Sequence, residues 1–277
     1  MKITYQGVAG AYSHIAAKEI FPDSEYIACE TFEQAAKLVE DNNADYAVIP
    51  VENSNAGRVT DVHFLLPKTG LHIVGEYFLR VEHQLLGLPD TDIEKINIVS
   101  SHPQALAQCS EFLTQHNILT EAKIDTAKSC QEIINNKDPN RAAIASKLAA
   151  KIYGLKILAS NIENSNNNTT RFLIMSRNTQ IPHDDDSLFI TSCIFNTKSI
   201  PAALYKALGG FATNGINIVK LESYLENDKF LSARFYIEFE SHPDRQSFKN
   251  AFAELNFFAD KIHILGTYKS CKKRYER

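Results

Sequence analysis

The 277-residue sequence contains no tryptophan, only two methionines and five cysteines. Its apolar runs all fall well short of the ~20 residues needed to cross a bilayer, which excludes a helical membrane span and argues against a membrane partner. Cys29, Cys109, Cys130, Cys193 and Cys271 are odd in number and scattered, with no CxxC pair. That spacing excludes a disulfide framework and the common zinc patterns, so no metal is expected. Positive charge is not in excess either: the formal net charge is −4. The one basic cluster, "KSCKKRYER" at 269–277, is a short solvated end, so nucleic acid is not an expected partner. Nucleotide fingerprints are missing too. Gly7 and Gly10 lack the third glycine and downstream acid of a dinucleotide turn, and no Gly-Lys-Ser/Thr follows. The opening "MKITYQG" lacks the apolar core of a secretory leader. These absences predict a cytoplasmic, soluble protein that uses no cofactor.

What is present is ordinary globular material, 44% hydrophobic and 22% charged, in a chain long enough for two domains. The first ~180 residues alternate short β-rich runs with helical periods, the pattern of parallel α/β units. "KITYQG", "EYIACE", "DYAVIPVE", "LHIVGEYFL", "INIVSS", "EAKIDTA", "RAAIAS", "KILAS" and "RFLIMS" read as strands. "AYSHIAAKEIF", "HPQALAQCSEFLTQ", "SCQEIINN" and "KLAAKIYG" read as helices. Thr31 with Gln34 three residues on is a capping-box helix start for "TFEQAAKLVEDNN". Residues 179–187 carry Pro182 and an acidic run without periodicity, as a linker should. Beyond it the order strand, helix, strand, strand, helix, strand predicts a ferredoxin-like βαββαβ unit over 188–277.

In an open parallel sheet, ligands bind beyond the carboxyl ends of strands, near helix N-termini. Those positions hold Ser13, Glu52-Asn53-Ser54, Ser101 with Gln104 and Gln108, Thr126, and Thr170-Arg171. Each has a plainer reading. Ser101 with Gln104 is a formal capping box, Thr126 reads equally as a cap, and Gln108 could lie on a solvated face. Glu52 after an apolar strand is harder to dismiss, because a carboxylate at that depth needs a partner. His14, His63, His83 and His102 show no ligand spacing, and no Ser-His-Asp or Cys-His arrangement is evident. Hydroxyls, amides, one Glu and one Arg together suit a small, oxygen-rich polyanion.

The segments "GVAGAYSHIAA", "VIPVENSNAG", "SSHPQALAQC", "DTAKS", "RAAIAS" and "NTTRFLIM" closely resemble, in order, those of bacterial prephenate dehydratases. "GINIVKLES" falls in a C-terminal unit that resembles an ACT domain. The resemblance implies a two-lobed, periplasmic-binding-protein-like catalytic domain over 1–178 and an ACT domain over 188–277. It implies prephenate as substrate, L-phenylalanine as effector and a homodimer or homotetramer. It puts Thr170, Arg171 and Phe172 at an essential "TRF" position, Glu52 and Asn53 at "ENS", and Ser101 and Gln108 in the "SHPQALAQC" segment. Ser13, Ser54 and Thr126 match cleft-lining positions.

On this resemblance Thr170, Glu52, Asn53, Ser101 and Gln108 would be catalytic, while Ser13, Ser54, Thr126, Arg171 and Phe172 would bind substrate. Thr170 or a burial-shifted Glu52 would supply the proton for the leaving hydroxyl. Arg171 would either clamp a carboxylate or form an ion pair with an acid. At the regulatory end Ala203, Leu204, Asn217, Glu222 and Ser223 would meet the effector. The sequence departs there: Ala202 replaces a glycine, and Tyr224-Leu225 replaces Arg-Pro. Phenylalanine sensing and a purely structural ACT domain both remain open. Rival readings are an arogenate dehydratase and a non-catalytic metabolite sensor.

Overall fold

A computed structural model describes the chain apart from residues 124, 227, 228 and 277, and apart from the side chains of 225–233. β1 (Lys2–Gln6), α1 (Tyr12–Ile20), β2 (Glu25–Cys29), α2 (Phe32–Glu40) and β3 (Tyr46–Asn53) form a β-α-β-α-β run. β1 pairs in parallel with both β2 and β3. Thr31 caps α2 as its spacing predicts: its Oγ1 accepts from Gln34 N at 3.1 Å. Gln34 Oε1 reaches back to Glu30 N at 2.8 Å. β4 (Gly57–Arg58) folds back antiparallel on β3, and α3 (Thr60–Leu65) and β5 (His72–Arg80) follow.

A second sheet then begins with β6 (Gln84–Gly87), β7 (Ile98–Ser101), α4 (Pro103–Gln108), α5 (Ser110–Gln115), β8 (Leu119–Ala122) and α6 (Thr126–Asn136). It is completed by β9 (Arg141–Ala145), α7 (Lys147–Tyr153) and β10 (Lys156–Ala159). Its order is β10-β6-β9-β7-β8. β7 runs parallel to β8 and β9, while β6 is antiparallel to β9 and β10. Strand alternation with both faces covered explains why β9 is apolar after Arg141. Ala142 and Ile144 enter one core with Val99 and Leu106, whereas Ala143 and Ala145 enter another with Cys130 and Ile133. β11 (Thr169–Ser176) returns the chain to the first sheet, whose order is β2-β1-β3-β11-β5.

Three local expectations are corrected. The helix expected through "HPQALAQCSEFLTQ" breaks at Cys109 into α4 and α5. Asn164 causes the break: its backbone N takes the Gln108 carbonyl at 2.7 Å, and its Oδ1 accepts from Glu111 N at 3.1 Å. The strand expected at "EAKIDTA" ends at Ala122, because Asp125 Oδ1 accepts from Ala127 N and Lys128 N and starts α6. Ser101 caps nothing. His102 Nδ1 accepts from Gln104 N at 3.2 Å, and Ser101 Oγ instead donates to the Ile144 carbonyl at 2.7 Å.

The chain forms two compact units, Met1–Val59 with Tyr77–Phe172, and Thr60–Glu76 with Leu173–Arg277. The second contains β12 (Phe189–Thr197), α8 (Ala203–Thr213), β13 (Ile218–Glu226), β14 (Lys229–Glu240), α9 (Gln246–Phe258) and β15 (Ala259–Lys269). This is the βαββαβ order expected from the sequence, with sheet order β13-β14-β12-β15. Phe211 of α8 and Phe248, Ala251 and Leu255 of α9 bury Phe195, Ile237 and Phe239 of the sheet. No helix or strand forms between residues 177 and 188. Thr60–Glu76 belongs to this unit through close contact: a Cβ on Gly266 would lie 1.9 Å from the Ile73 carbonyl oxygen. Arg274 bridges the buried carboxylates of Glu76 and Glu238 at 2.5 and 3.0 Å. The protein is thus a mixed α/β fold. Among the described residues no helix is long and apolar enough to cross a membrane.

Candidate active site

A cleft of about 320 Å³ opens inside the first compact unit. It is lined from the first sheet by Ser13, Asn53, Thr170 and Phe172, and from the second by His102, Gln104, Gln108 and Thr126. Between the lining residues Gln6 and Ala11 the chain turns through Gly7 and Gly10, both with positive φ. The glycines serve packing. A Cβ on Gly10 would sit 2.8 Å from Ala149 Cα in α7. Ser146 Oγ donates to the Gly10 carbonyl at 2.6 Å, and Tyr153 OH donates to the Ala9 carbonyl at 3.0 Å. These bonds tie the loop after β1 to the second sheet.

Successive residues of a strand point to opposite faces, and here that divides the chemistry. Asn53, Thr170 and Phe172 line the cleft, whereas Glu52 and Arg171 do not. Arg171 is buried, with its Nη1 3.0 Å from Glu52 Oε1 and its guanidinium 5.9 Å from the Phe78 ring centre. The ion-pair reading of Arg171 describes its geometry.

Asn53 Oδ1 accepts from the backbone N–H groups of Asn55 and Ala56, at 3.0 and 2.9 Å. Its Nδ2 therefore faces Thr170 Oγ1 at 2.9 Å and Asn168 Oδ1 at 2.8 Å. Because Thr170 Oγ1 accepts from Asn53, the threonine keeps its own O–H for a cleft occupant. On the opposite wall Gln108 Oε1 accepts from Asn168 Nδ2 at 2.9 Å. Asp125 lines the cleft beside Thr126, but its Oδ1 is engaged by the first turn of α6.

Ser54 is exposed outside the lining; its Oγ donates to the Asn167 carbonyl at 2.7 Å and accepts from Thr169 N at 3.0 Å. Ser101 is fully buried behind the cleft. Thus Thr170, Asn53, Gln108, Ser13, Thr126 and Phe172 come together, whereas Glu52, Ser101, Ser54 and Arg171 support them from outside. Sequence reasoning missed Tyr12, His83 and Asn168, which also line the cleft. His83 lay in no ligand pattern, and Asn168 was hidden in a loop-like asparagine run. Its place two residues before Thr170 was the available signal, since i and i+2 share a strand face. Among the described residues lining the cleft there is neither Lys nor Arg, and the one acid, Asp125, caps α6, so an anion there meets hydroxyl, amide and imidazole groups and the N-terminus of α1. Among the described residues no His, Cys, Asp or Glu group is placed to hold a metal.

In the second unit, Ala202 takes up the left-handed conformation at φ 58° and ψ 29° at the start of α8. Ala203 and Leu204 follow it, Leu204 packing on the core. Asn217 Nδ2 donates to Glu240 Oε2 at 3.1 Å, and Glu222 Oε1 lies 3.4 Å from Lys220 Nζ. Ser223 pairs with Phe235 across β13 and β14. The Leu225 side chain lies outside the described residues.

The family model described as Prephenate dehydratase matches residues 3–180. A bifunctional N-acyl-homoserine lactone acylase/prephenate dehydratase of Komagataeibacter europaeus is 40% identical over 96% of this chain and 95% of its own length. Arogenate dehydratase/prephenate dehydratase 2 of Arabidopsis thaliana is 40% identical over 97% of this chain and 72% of its own. The crystal structure of a prephenate dehydratase from Arthrobacter aurescens in complex with L-Phe superposes with a TM-score of 0.89 at 27% identity. It covers 97% of this chain and 90% of that one. A family match over residues 3–180, with relatives 40% identical over nearly all of this chain, leads to one conclusion: this chain belongs to the prephenate dehydratase family.

Proposed function

We propose that the cleft converts prephenate to phenylpyruvate, water and CO₂, a carbon–oxygen lyase reaction of phenylalanine biosynthesis. Prephenate is a dianion with a ring hydroxyl. Its ring carboxylate leaves as CO₂, the C–O electron pair leaves with the hydroxyl, and one proton taken up completes water. Aromatisation drives the reaction, and hydroxide is the poor leaving group. A donor aimed at that oxygen is worth roughly 10²–10⁴ in rate.

The observation that carries this reading is the Asn53–Thr170 bond of 2.9 Å, which leaves the threonine proton directed at the cleft. Thr170 serves as the hydrogen-bond donor to the leaving oxygen, with the net proton drawn from solvent. Glu52 acts indirectly, by neutralising the Arg171 side chain next to Thr170. Gln108, Ser13 and Thr126 hold the carboxylates, and Phe172 packs against the ring. With no Lys or Arg among the described lining residues, the departing carboxylate has no guanidinium partner, which favours its loss as neutral CO₂. Incubation with prephenate tests the function: ultraviolet absorbance of phenylpyruvate should rise. Arogenate in a parallel cuvette tests the rival substrate, because several relatives are named for that activity. No turnover of either compound would leave the metabolite-sensor reading in place.

The organisation extends the proposal. Residues 1–178 form the two-lobed, periplasmic-binding-protein-like catalytic domain, 179–187 a linker and 188–277 an ACT domain that binds L-phenylalanine. The βαββαβ order and the L-Phe complex of the Arthrobacter relative support it. Ala202 is already in the conformation that a glycine favours, so the missing glycine leaves the helix start intact. Exposed Ile200, Tyr205 and Leu221 on this unit supply apolar surface for a cytoplasmic homodimer or homotetramer. Calorimetry with phenylalanine and light scattering check both. Absence of heat and of any kinetic effect would leave the unit a structural role only.

A further inference from the structure

The polar side chains around the cleft form one continuous chain of hydrogen bonds, and its direction can be deduced from one end. Backbone N–H groups only donate, so the bonds from Asn55 N and Ala56 N fix which end of the Asn53 amide is oxygen. Asn53 Nδ2 then faces Asn168, which must present Oδ1. The other end of Asn168 is therefore Nδ2, and Gln108 must present Oε1 to it. Gln108 Oε1 also lies 2.8 Å from His83 Nε2. An oxygen facing that nitrogen requires a proton on Nε2. At the far side of the ring, His83 Nδ1 lies 2.8 Å from the Tyr12 hydroxyl.

His83 is 2% exposed and sits in the segment that joins β5 to β6. Its backbone N–H donates to Glu163 Oε2 at 2.9 Å, which anchors the ring from the main chain. Val81 N bonds the Asn168 carbonyl at 2.8 Å, so the two connections between the sheets run side by side here. Burial lowers the His83 pKa from its ordinary value and keeps the ring neutral near neutral pH. A neutral ring with its proton on Nε2 accepts at Nδ1, where the single Tyr12 proton is shared between the ring and the Glu82 carbonyl, each 2.8 Å from the hydroxyl oxygen.

We propose that His83, held as the Nε2–H tautomer by Gln108 Oε1, is a positioning residue that keeps this chain polarised so that its two surplus donors, the Gln108 amide and the Thr170 hydroxyl, face the substrate. With the opposite tautomer Gln108 would have to flip. Its amide would then compete for Asn168, the Asn168 flip would put two amide donors face to face at Asn53, and Thr170 would lose its fixed partner. The inference rests on the dehydratase reading for its kinetic part only.

The test has two readouts. Long-range ¹⁵N–¹H spectra of histidine-labelled protein at neutral pH, with the His83 signals identified by their loss in His83→Phe, should show the proton on Nε2. A proton on Nδ1, or an imidazolium, overturns the proposal. In prephenate turnover, His83→Phe should lower kcat about 10- to 100-fold with little change in KM, as expected for misplacement of a reacting group. His83→Gln, whose amide can still donate to Gln108 Oε1, should recover most of that loss. Unchanged kcat in His83→Phe, or equal losses in both variants, overturns the positioning role. Wild-type protein that turns over no prephenate would defeat the functional reading instead, and the tautomer spectrum would still decide this one.

Discussion

The two faces of the β3–β11 pair differ more in chemistry than their sequence neighbours suggest. On one face Asn53 and Thr170 meet through neutral hydrogen bonds beside the cleft. On the other, one residue away along each strand, Glu52 and a buried Arg171 meet as an ion pair. Uncharged groups that keep a donor in reserve suit a site that must bind and release an anion. A buried charge pair suits a scaffold, because removing either partner strands the other in a low-dielectric setting. Adjacency in the "ENS" and "TRF" segments therefore reflects strand pairing: each cleft-lining residue, Asn53 and Thr170, is carried next to a member of the Glu52–Arg171 pair. The difference predicts that mutations on the two faces fail in different assays.

The largest effect is expected on the neutral face. Thr170→Ala should lower kcat by roughly 10²–10⁴ while leaving the thermal midpoint and prephenate KM near wild type. A variant with near-normal kcat would remove the threonine from the mechanism and erase the contrast. Asn53→Ala should follow with a smaller loss, about 10- to 100-fold, since Thr170 remains but is no longer aimed. Steady-state phenylpyruvate formation measures both.

On the charged face the order reverses. Arg171→Met leaves Glu52, whose side chain is 30% exposed, without the guanidinium at 3.0 Å and should cost about 1–3 kcal/mol of stability, read by chemical denaturation. The folded fraction should keep its KM for prephenate. A KM raised by more than tenfold would mean that Arg171 grips a substrate carboxylate after all, and that the two faces exchange roles during turnover.

Much of the fold was legible because its signals are local. The Thr31–Gln34 cap and the βαββαβ order both appear where short-range patterns put them. The misses share a longer reach. Cys109 breaks its helix because Asn164, remote in sequence, takes the Gln108 carbonyl. His102 displaces Ser101 as a cap because the serine hydroxyl finds Ile144 on the neighbouring strand. For the site, residue types at strand ends located the cleft, but not the direction in which each side chain points. Only strand pairing puts Thr170 inside and Arg171 outside. His83 meets Gln108 and Tyr12, residues that no spacing rule connects to it.

The smallest expected effect concerns pH, to which exposed charged scaffold pairs respond. Glu121 on β8 is gripped by Arg141 at 2.6 Å, Lys123 at 3.2 Å and the Ser100 hydroxyl at 3.0 Å. The Arg141 bond, then those from Lys123 and Ser100, pull its pKa down to about 2. A carboxyl whose folded pKa is depressed adds stability above its unfolded pKa of ~4.3 and loses it as pH falls toward the folded value. The side chain is 39% exposed, so solvent screening holds the contribution below about 1 kcal/mol. Glu121→Gln should therefore melt slightly below wild type at neutral pH, and the gap should close between about pH 5 and pH 2, where the wild-type carboxyl becomes protonated and as neutral as the amide. A gap that stayed constant through that range would show that the Arg141 grip acts by shape rather than charge, and the contrast between a charged scaffold and a neutral cleft would then rest on Arg171 alone.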